Sequence, residues 1–158
     1  MQMILHPIDM ARFRRARTVE NKKQREQDIL IAAGHVCDTQ GLEAVTFETV
    51  AAELGVTRPL IYSYFRTREE LLAAMLDQEL ATWTADMVTA MEGLDGADPD
   101  LVAAAWSDCV AAHPRLTELC AAREVTPKSK LSKESRQKLS EQMTTCKHAV
   151  TSVLGRIF

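Results

Sequence analysis

Apolar residues recur at steps of three and four along most of the chain, and no stretch shows the two-residue alternation of a β-strand. The longest apolar stripe predicts one helix of about 25 residues that begins near Thr67. Its apolar positions are Leu72, Met75, Leu76, Leu80, Trp83, Met87 and Met91. The fold class is therefore predicted to be all α.

Further helices are predicted after this long one. Asp98 is a good N-cap with Pro99 at the first helical position, and Pro114 ends that helix and opens a short segment. The apolar stripe of the helix that begins at Pro99 consists of Leu101, Val102, Ala105, Trp106, Cys109, Val110 and His113. Ser132 is predicted to cap a last helix. The apolar side of that helix consists of Leu139, Met143, Cys146, Val150, Val153, Leu154, Ile157 and Phe158.

The segment from Thr46 to Leu72 predicts two short helices, a tight turn and the start of a third helix. Thr46 is a good N-cap, and Gly55 stands where the chain must turn sharply. Thr57 is predicted to cap the second helix. Pro59 lies early enough in that helix to need no amide hydrogen. Thr67 and Glu70 form a capping box for the third helix. This spacing is that of a helix-turn-helix unit.

One face of the second helix carries polar and aromatic residues that are unsuited to a core. Ile61 and Phe65 face the first helix, which leaves the Arg58 side exposed. Arg58 has the donors to bind a guanine edge, Leu60 is suited to pack on a thymine methyl group, and neighbouring hydroxyls are suited to phosphates. The alternative is a packing unit within another helical domain, but such a unit does not need this outer face.

The pattern resembles the DNA-binding domain of TetR-type bacterial repressors over about residues 25 to 72. The resemblance rests on Arg25, Ile29, Leu30, Ala33, Gly41, Thr46, the AxxLGV run from Ala51, IYSYF from Ile61, and R-x-R-E-x-L-L. It implies that Arg58, Pro59, Leu60, Tyr62, Ser63 and Tyr64 form a recognition surface. Arg68 stands where the family usually has a phosphate-contacting Lys. Thr46, Thr57 and Glu48 complete the predicted DNA-binding set, and Glu48 either accepts from a cytosine amine or turns outward.

The net charge of −3 hides a segmented distribution. Seven basic residues against Glu20 alone occupy residues 12–25, ten acidic against two basic residues occupy 71–126, and seven basic against two acidic residues occupy 127–158. We predict a basic arm over residues 1–24, a helix-turn-helix head over 25–70 and a helical body over 71–158. The arm follows phosphates or enters the minor groove, or is a solvated disordered tail, whereas DNA would repel the acidic middle.

The resemblance also implies a small-molecule effector pocket in the body and dimerisation through its last helices. The candidate lining residues are Trp83, Met87, Met91, Trp106, Cys109, Val110, His113 and Met143, chosen because Met and Trp form adaptable apolar walls and His113 is a polar handle. The alternative for each of them is ordinary core packing.

The C-terminal stripe is predicted to need a cover. Family members usually continue with two more helices, whereas this chain stops at Phe158, after what reads as its seventh helix. Either the body is a natural truncation or the stripe, Val150, Val153, Leu154, Ile157 and Phe158, pairs with a second copy. We predict a homodimer through the last helix. At the other end, the sequence leaves open whether translation starts at Met1 or Met10.

Other classes of protein find little support in the sequence. Neither a signal peptide nor a membrane span is apparent, so a cytoplasmic, nucleoid-associated protein is expected. Cys37, Cys109, Cys120 and Cys146 are too scattered for a metal site and read as free thiols, with redox sensing as the alternative. His6, His35, His113 and His148 lie in no catalytic motif, so neither an enzyme nor a cofactor is expected.

The function that the sequence predicts is that of a TetR-like repressor. Such a protein binds a palindromic double-stranded DNA operator as a homodimer and is released by a small-molecule effector. The alternative is a truncated interaction protein that pairs with a related full-length regulator and modulates its DNA binding.

Overall fold

The computed structural model describes the backbone of residues 7–157 and the side chains of residues 20–157 except residue 128. This part of the chain contains seven α-helices and no strand, and 82% helix overall confirms the predicted all-α class. The helices are α1 Pro7–Gln40, α2 Phe47–Leu54, α3 Arg58–Tyr62, α4 Arg68–Met91, α5 Pro99–Ala111, α6 Pro114–Val125 and α7 Lys133–Ile157. Two 3₁₀ turns lie at Leu42–Ala44 and Lys128–Lys130.

Helix α1 is continuous across the boundary predicted between the arm and the head. It begins at Pro7 and ends at Gln40, so the basic segment and the first helix of the head form one element. Ile29, Ala33 and Val36 are fully buried on its head-facing side. Lys22, Lys23 and Arg25 are exposed. The side chains of Arg12, Arg14, Arg15 and Arg17 lie outside the described residues, as does the structure of Met1.

The head is a three-helix unit of α1, α2 and α3, and residues next to α2 in sequence cap both of its ends. The Thr46 hydroxyl accepts from the Thr49 amide at 3.2 Å, and the Thr49 hydroxyl accepts from the Thr46 amide at 3.0 Å. Gly55 ends α2 with φ 68°, a left-handed conformation that favours glycine. Val50 and Ile61, from α2 and α3, are fully buried. The caps predicted at Thr46 and Gly55 are confirmed.

Helix α4 is the spine of the body, because α5, α6 and α7 all pack against it. The Thr67 hydroxyl caps α4 by accepting from the Glu70 amide at 3.1 Å, as predicted. Leu71, Leu76 and Met87 are buried along its length. The other two predicted caps are also present: Asp98 accepts from the Asp100 amide at 2.9 Å, and Ser132 accepts from the Ser135 amide at 3.0 Å.

The C-terminal stripe is covered within the chain, which corrects the expectation that a monomer would expose it. Val153 and Ile157 are each 5% exposed, and Val150 and Leu154 pack against the core. The reason is the long parallel packing of α7 on α4, from the Asp77–Lys138 pair near their starts to the bond between Gly96 and Ile157 at their ends, which places this side of α7 inward. Phe158 lies outside the described residues.

Two residues of the predicted α5 stripe face outward instead. Leu101 is 58% exposed and Val110 is 38% exposed, whereas Val102 and Cys109 are buried. Among the described helices, none combines the length and apolar character that a bilayer crossing requires.

Candidate nucleic-acid interface

The recognition segment is a short helix followed by a turn. Helix α3 ends at Tyr62, earlier than predicted, but the amides of Tyr64 and Phe65 both donate to the Ile61 carbonyl at 3.0 Å and continue the coil. Thr57 occupies the N-cap position without a side-chain capping bond, and Pro59 lies in the first turn as expected. Buried Ile61 and Phe65 therefore anchor the segment and leave its opposite face to solvent.

Arg58, Tyr62 and Phe47 form a stack on that exposed face. The Arg58 guanidinium donates to the Tyr62 hydroxyl at 2.8 Å and lies 5.3 Å from the centre of the Tyr62 ring. The Tyr62 ring meets Phe47 edge to face at 4.7 Å, and Phe47 is buried. The hydrogen bond to the hydroxyl and the contact with the ring therefore favour this orientation of Arg58 before any ligand binds. Tyr62 is nonetheless 45% exposed.

The other predicted contact residues differ in how free their polar groups are. Glu48, Thr57 and Pro59 are exposed, and Leu60 and Tyr64 are half-buried. The exposed Ser63 hydroxyl donates to the Leu60 carbonyl at 2.6 Å, which leaves its oxygen free to accept but commits its proton. The half-buried Thr46 hydroxyl is engaged in capping α2. Both alternatives for Glu48 stay open.

Arg68 lies at the start of α4, and its guanidinium is engaged inside the head. Its Nε donates to the Val45 carbonyl at 2.6 Å, and one of its terminal nitrogens donates to the Leu42 carbonyl at 2.7 Å. Glu43 is 3.8 Å from the same nitrogen. The structure therefore places two donors of Arg68 on the backbone before α2, whereas the sequence predicts a phosphate contact.

The loop before α7 is joined to the first turn of α4. The Thr67 hydroxyl donates to the Lys130 carbonyl at 3.2 Å, and the Lys130 ammonium donates to Glu69 at 2.6 Å. The bond from Lys130 is the main reason why the pKa of Glu69 lies below its ordinary value. Glu70 accepts from the Ser132 amide at 3.2 Å. The residues that follow the recognition segment are thus held by the body.

A second joint links the head to the body through Arg115 of α6. Its Nε donates to Asp38 of α1 at 3.0 Å, a terminal nitrogen also donates to Asp38, and the other donates to Glu79 of α4 at 2.6 Å. These bonds, first the one to Asp38, raise the pKa of the guanidinium further. Sequence reasoning missed this site, although Arg115 is one of only two basic residues in an acidic stretch.

The predicted effector residues fall into three groups. Trp83, Met87, Met91 and Cys109 are buried in the core. Trp106 meets Trp83 edge to face at 5.8 Å, and His113 Nε2 is 3.1 Å from Asp86. Val110 and Met143 are partly exposed, and Met143 lines a separate groove of about 620 Å³ between the end of α6 and α7. The Trp83 indole N–H is buried without a hydrogen-bond partner in the described chain.

The four cysteines carry free thiols. Three are buried and Cys120 is exposed. Burial is the main cause that raises the pKa of Cys37, Cys109 and Cys120, so these thiols are poor nucleophiles near neutral pH. Within the described residues, no three His, Cys, Asp or Glu side chains are grouped to hold a metal ion.

Comparison with known proteins points to the same segment as the geometry. Residues 29–75 match the family described as bacterial regulatory proteins, tetR family. The chain is also 30% identical over 87 residues to the HTH-type transcriptional regulator HbdR from Aromatoleum sp. (strain CIB). That similarity covers 55% of this chain and 38% of the relative, so the chain matches well under half of the relative's length.

Proposed function

We propose that this chain, which belongs to the TetR family of bacterial regulatory proteins through its helix-turn-helix domain, represses transcription from a palindromic operator and is released by a small-molecule effector. The observation that carries the proposal is the exposed and pre-oriented Arg58 at the start of α3. A guanidinium held in one orientation loses little conformational entropy when it forms the bidentate contact that distinguishes guanine.

Charge supports the proposed orientation on DNA. The α1 helix carries the basic segment next to the head, and exposed Lys22, Lys23 and Arg25 extend the positive surface from α3. The body residues 71–126 carry ten acidic against two basic residues, so the electrostatic field favours approach by the head. Phosphate contacts along α1 supply affinity, and α3 supplies sequence preference.

The proposed operator is a palindrome because the proposed active form is a homodimer. A two-fold dimer places two α3 helices one helical turn, or a multiple of it, apart on DNA. With the inner side of α7 buried on α4, a surface available to a second copy is the outer side of α7, where the 37% exposed Met143 lines a groove with Glu124 and Thr126 at the end of α6. The proposed dimer therefore uses that outer surface.

The proposed effector binds in the body near Trp83 and Trp106. The supporting observation is the buried indole N–H of Trp83, because a buried donor without a partner costs about 1–3 kcal/mol and a ligand acceptor would relieve that cost. Asp86 of α4 and His113, the N-cap residue of α6, add a polar pair nearby. Such a ligand would be largely apolar or aromatic with one hydrogen-bond acceptor.

The test of DNA binding begins with duplexes that the purified wild-type protein selects from a random library. Arg58→Ala should then lose about 1–3 kcal/mol on the selected duplex, roughly 5- to 150-fold, and much less on random DNA. Arg123→Ala is the matched control, because Arg123 lies in the body and, among the described residues, pairs with adjacent Glu124 on α6. Equal losses on both duplexes would assign Arg58 to phosphate contact. A wild type that selects no sequence at low salt would refute the proposal, and sedimentation of the same complex gives its stoichiometry.

A further inference from the structure

The Arg115 joint connects three helices through one cation. Asp38 belongs to α1 in the head, Glu79 to α4 and Arg115 to the first turn of α6. The side chains of Arg115 and Glu79 are 27% and 17% exposed, so their pair is shielded from water more than a surface ion pair, whereas Asp38 at the head side is 51% exposed. Both nitrogen ends of the guanidinium are occupied, and the fork binds Asp38 through two donors.

Gly34 on α1 allows this close approach. A Cβ atom built on Gly34 would lie 2.8 Å from a terminal nitrogen of Arg115 and 3.1 Å from its central carbon, which is closer than real Cβ atoms approach their neighbours. The guanidinium therefore lies directly over the α1 backbone, where a side chain would otherwise stand. Cys37 on the same helix adds a weak contact, since its thiol is 3.9 Å from Glu118 of α6.

We infer that Arg115 is a positioning residue that fixes the angle between the DNA-binding head and the body. Removal of this one cation leaves Asp38 and Glu79, two carboxylates from different parts of the molecule, on either side of the vacated position. The force between α1 and α4 at that point would change from attraction through Arg115 to direct repulsion. Arg115 thereby couples the position of α6 to those of α1 and α4. The consequence for operator binding rests on the proposed function, whereas the joint itself does not.

The experiment measures the distance between head and body directly, without DNA. Nitroxide labels at exposed Ala52 of α2 and Thr151 of α7, in a Cys120→Ser background, report this distance by double electron–electron resonance. With labelled protein diluted in an excess of unlabelled protein, so that a proposed dimer carries labels on one protomer only, the wild type should give one narrow distribution. Arg115→Met should broaden it and lengthen its mean, while Arg123→Met on the same helix should leave it unchanged. A folded Arg115→Met protein, verified by circular dichroism, with an unchanged distribution would overturn the inference.

Two further variants separate a positioning role from a merely structural one. Asp38→Asn should broaden the distance distribution on its own. Its side chain is half-exposed and tolerates the change, so this variant replaces Arg115→Met if the latter does not fold. Asp38→Asn added to Arg115→Met should narrow the distribution again, because it removes one of the two repelling charges. Additive broadening in the double variant would contradict the proposed repulsion.

The DNA arm of the experiment tests the consequence. Arg115→Met should lose about 5- to 150-fold in affinity for the selected palindrome and little for a single half-site, because only the palindrome requires two correctly angled heads. A broadened distance distribution together with a wild type that binds no DNA would retain the joint and refute the proposed function. A change in distance with unaltered palindrome binding would overturn the claim that the joint controls recognition.

Discussion

Glu70 accepts a hydrogen bond from the backbone amide of Ser132, which lies 62 residues later in the chain. Its other carboxylate oxygen accepts from the Arg66 amide at 3.0 Å, immediately after the recognition segment. In the predicted capping box this carboxylate would accept from the amide of Thr67. The structure shows instead the amide of Arg66, one residue earlier, as the donor. One carboxylate thus connects the end of the recognition segment to the N-cap of α7.

Removal of the Glu70 carboxylate should loosen both connections. We expect Glu70→Ala to lower the free energy of unfolding by about 0.5–1.5 kcal/mol, since it removes the acceptor of the half-buried Ser132 amide and of the exposed Arg66 amide. Glu70→Gln retains one acceptor oxygen and should cost less than Glu70→Ala. Urea denaturation followed by circular dichroism measures both values. Equal stabilities of the alanine variant and the wild type would show that water replaces both bonds.

Glu69 predicts a specific pH dependence. Its pKa in the folded chain lies below the ordinary 4.5, chiefly because of the bond from Lys130. The contribution of this pair to stability is therefore complete above pH 4.5 and is lost as the pH falls through the folded-state pKa. We expect Glu69→Gln to cost about 0.5–1 kcal/mol at pH 7 and progressively less as the pH is lowered from 4.5 to 3, by urea denaturation.

Lys130→Met provides the matched test of that pair. It removes the cation and retains the carboxylate, so its cost should also be present at pH 7 and decrease as the pH is lowered toward 3. A cost for either variant that stays constant between these pH values would contradict the assignment to the Glu69–Lys130 pair.

Arg68→Ala distinguishes a structural role from a phosphate contact. Its guanidinium donates to the carbonyls of Leu42 and Val45, and loss of these bonds should lower the free energy of unfolding by about 1–3 kcal/mol. If that is its only role, the dependence of DNA affinity on salt should not change. A phosphate contact, which the sequence predicts, would reduce the salt slope by about one unit on any duplex. The salt titration of the variant therefore decides between the two roles.

Tyr62→Phe tests whether the stack prepares Arg58 for base contact. The ring and its packing on Phe47 remain, and only the hydroxyl that accepts from Arg58 is lost. We expect operator affinity to fall about three- to tenfold, with little change on random DNA, in a fluorescence anisotropy titration at fixed salt. Tyr64→Phe removes the same hydroxyl from a half-buried neighbour and should not change the preference for the operator. Equal losses on both duplexes for Tyr62→Phe would indicate a phosphate contact instead.

The sequence predicts those features that depend on neighbouring residues. Caps at Thr46, Thr67, Asp98 and Ser132 involve groups two or three positions away, so a single sequence is enough to identify them. The buried and exposed sides of the recognition segment follow from the spacing of Ile61 and Phe65 in the same way.

Features that depend on tertiary contacts were missed or assigned differently. Arg115 and its partner Asp38 are 77 residues apart in the chain. The carbonyls that accept from Arg68 belong to residues 23 and 26 positions earlier. The cover of the C-terminal stripe depends on the same kind of contact, because α7 is packed on α4. Helical periodicity shows that such a stripe is apolar, but it does not show which element covers it.

The proposed effector response gives helix α4 the role of a lever, because the helix runs unbroken from Arg68 to Met91. At 1.5 Å per residue its 24 residues measure about 36 Å. A tilt of about 10° about the Met91 end therefore moves the Arg68 end by about 6 Å. Stacked bases are only about 3.4 Å apart along a strand, so this movement exceeds one base step. A ligand that shifts the Met91 end slightly would thus move the recognition segment off its bases without unfolding any helix. The stiffness of helix α4, rather than a large motion in the body, would then determine how strongly the proposed effector changes DNA binding.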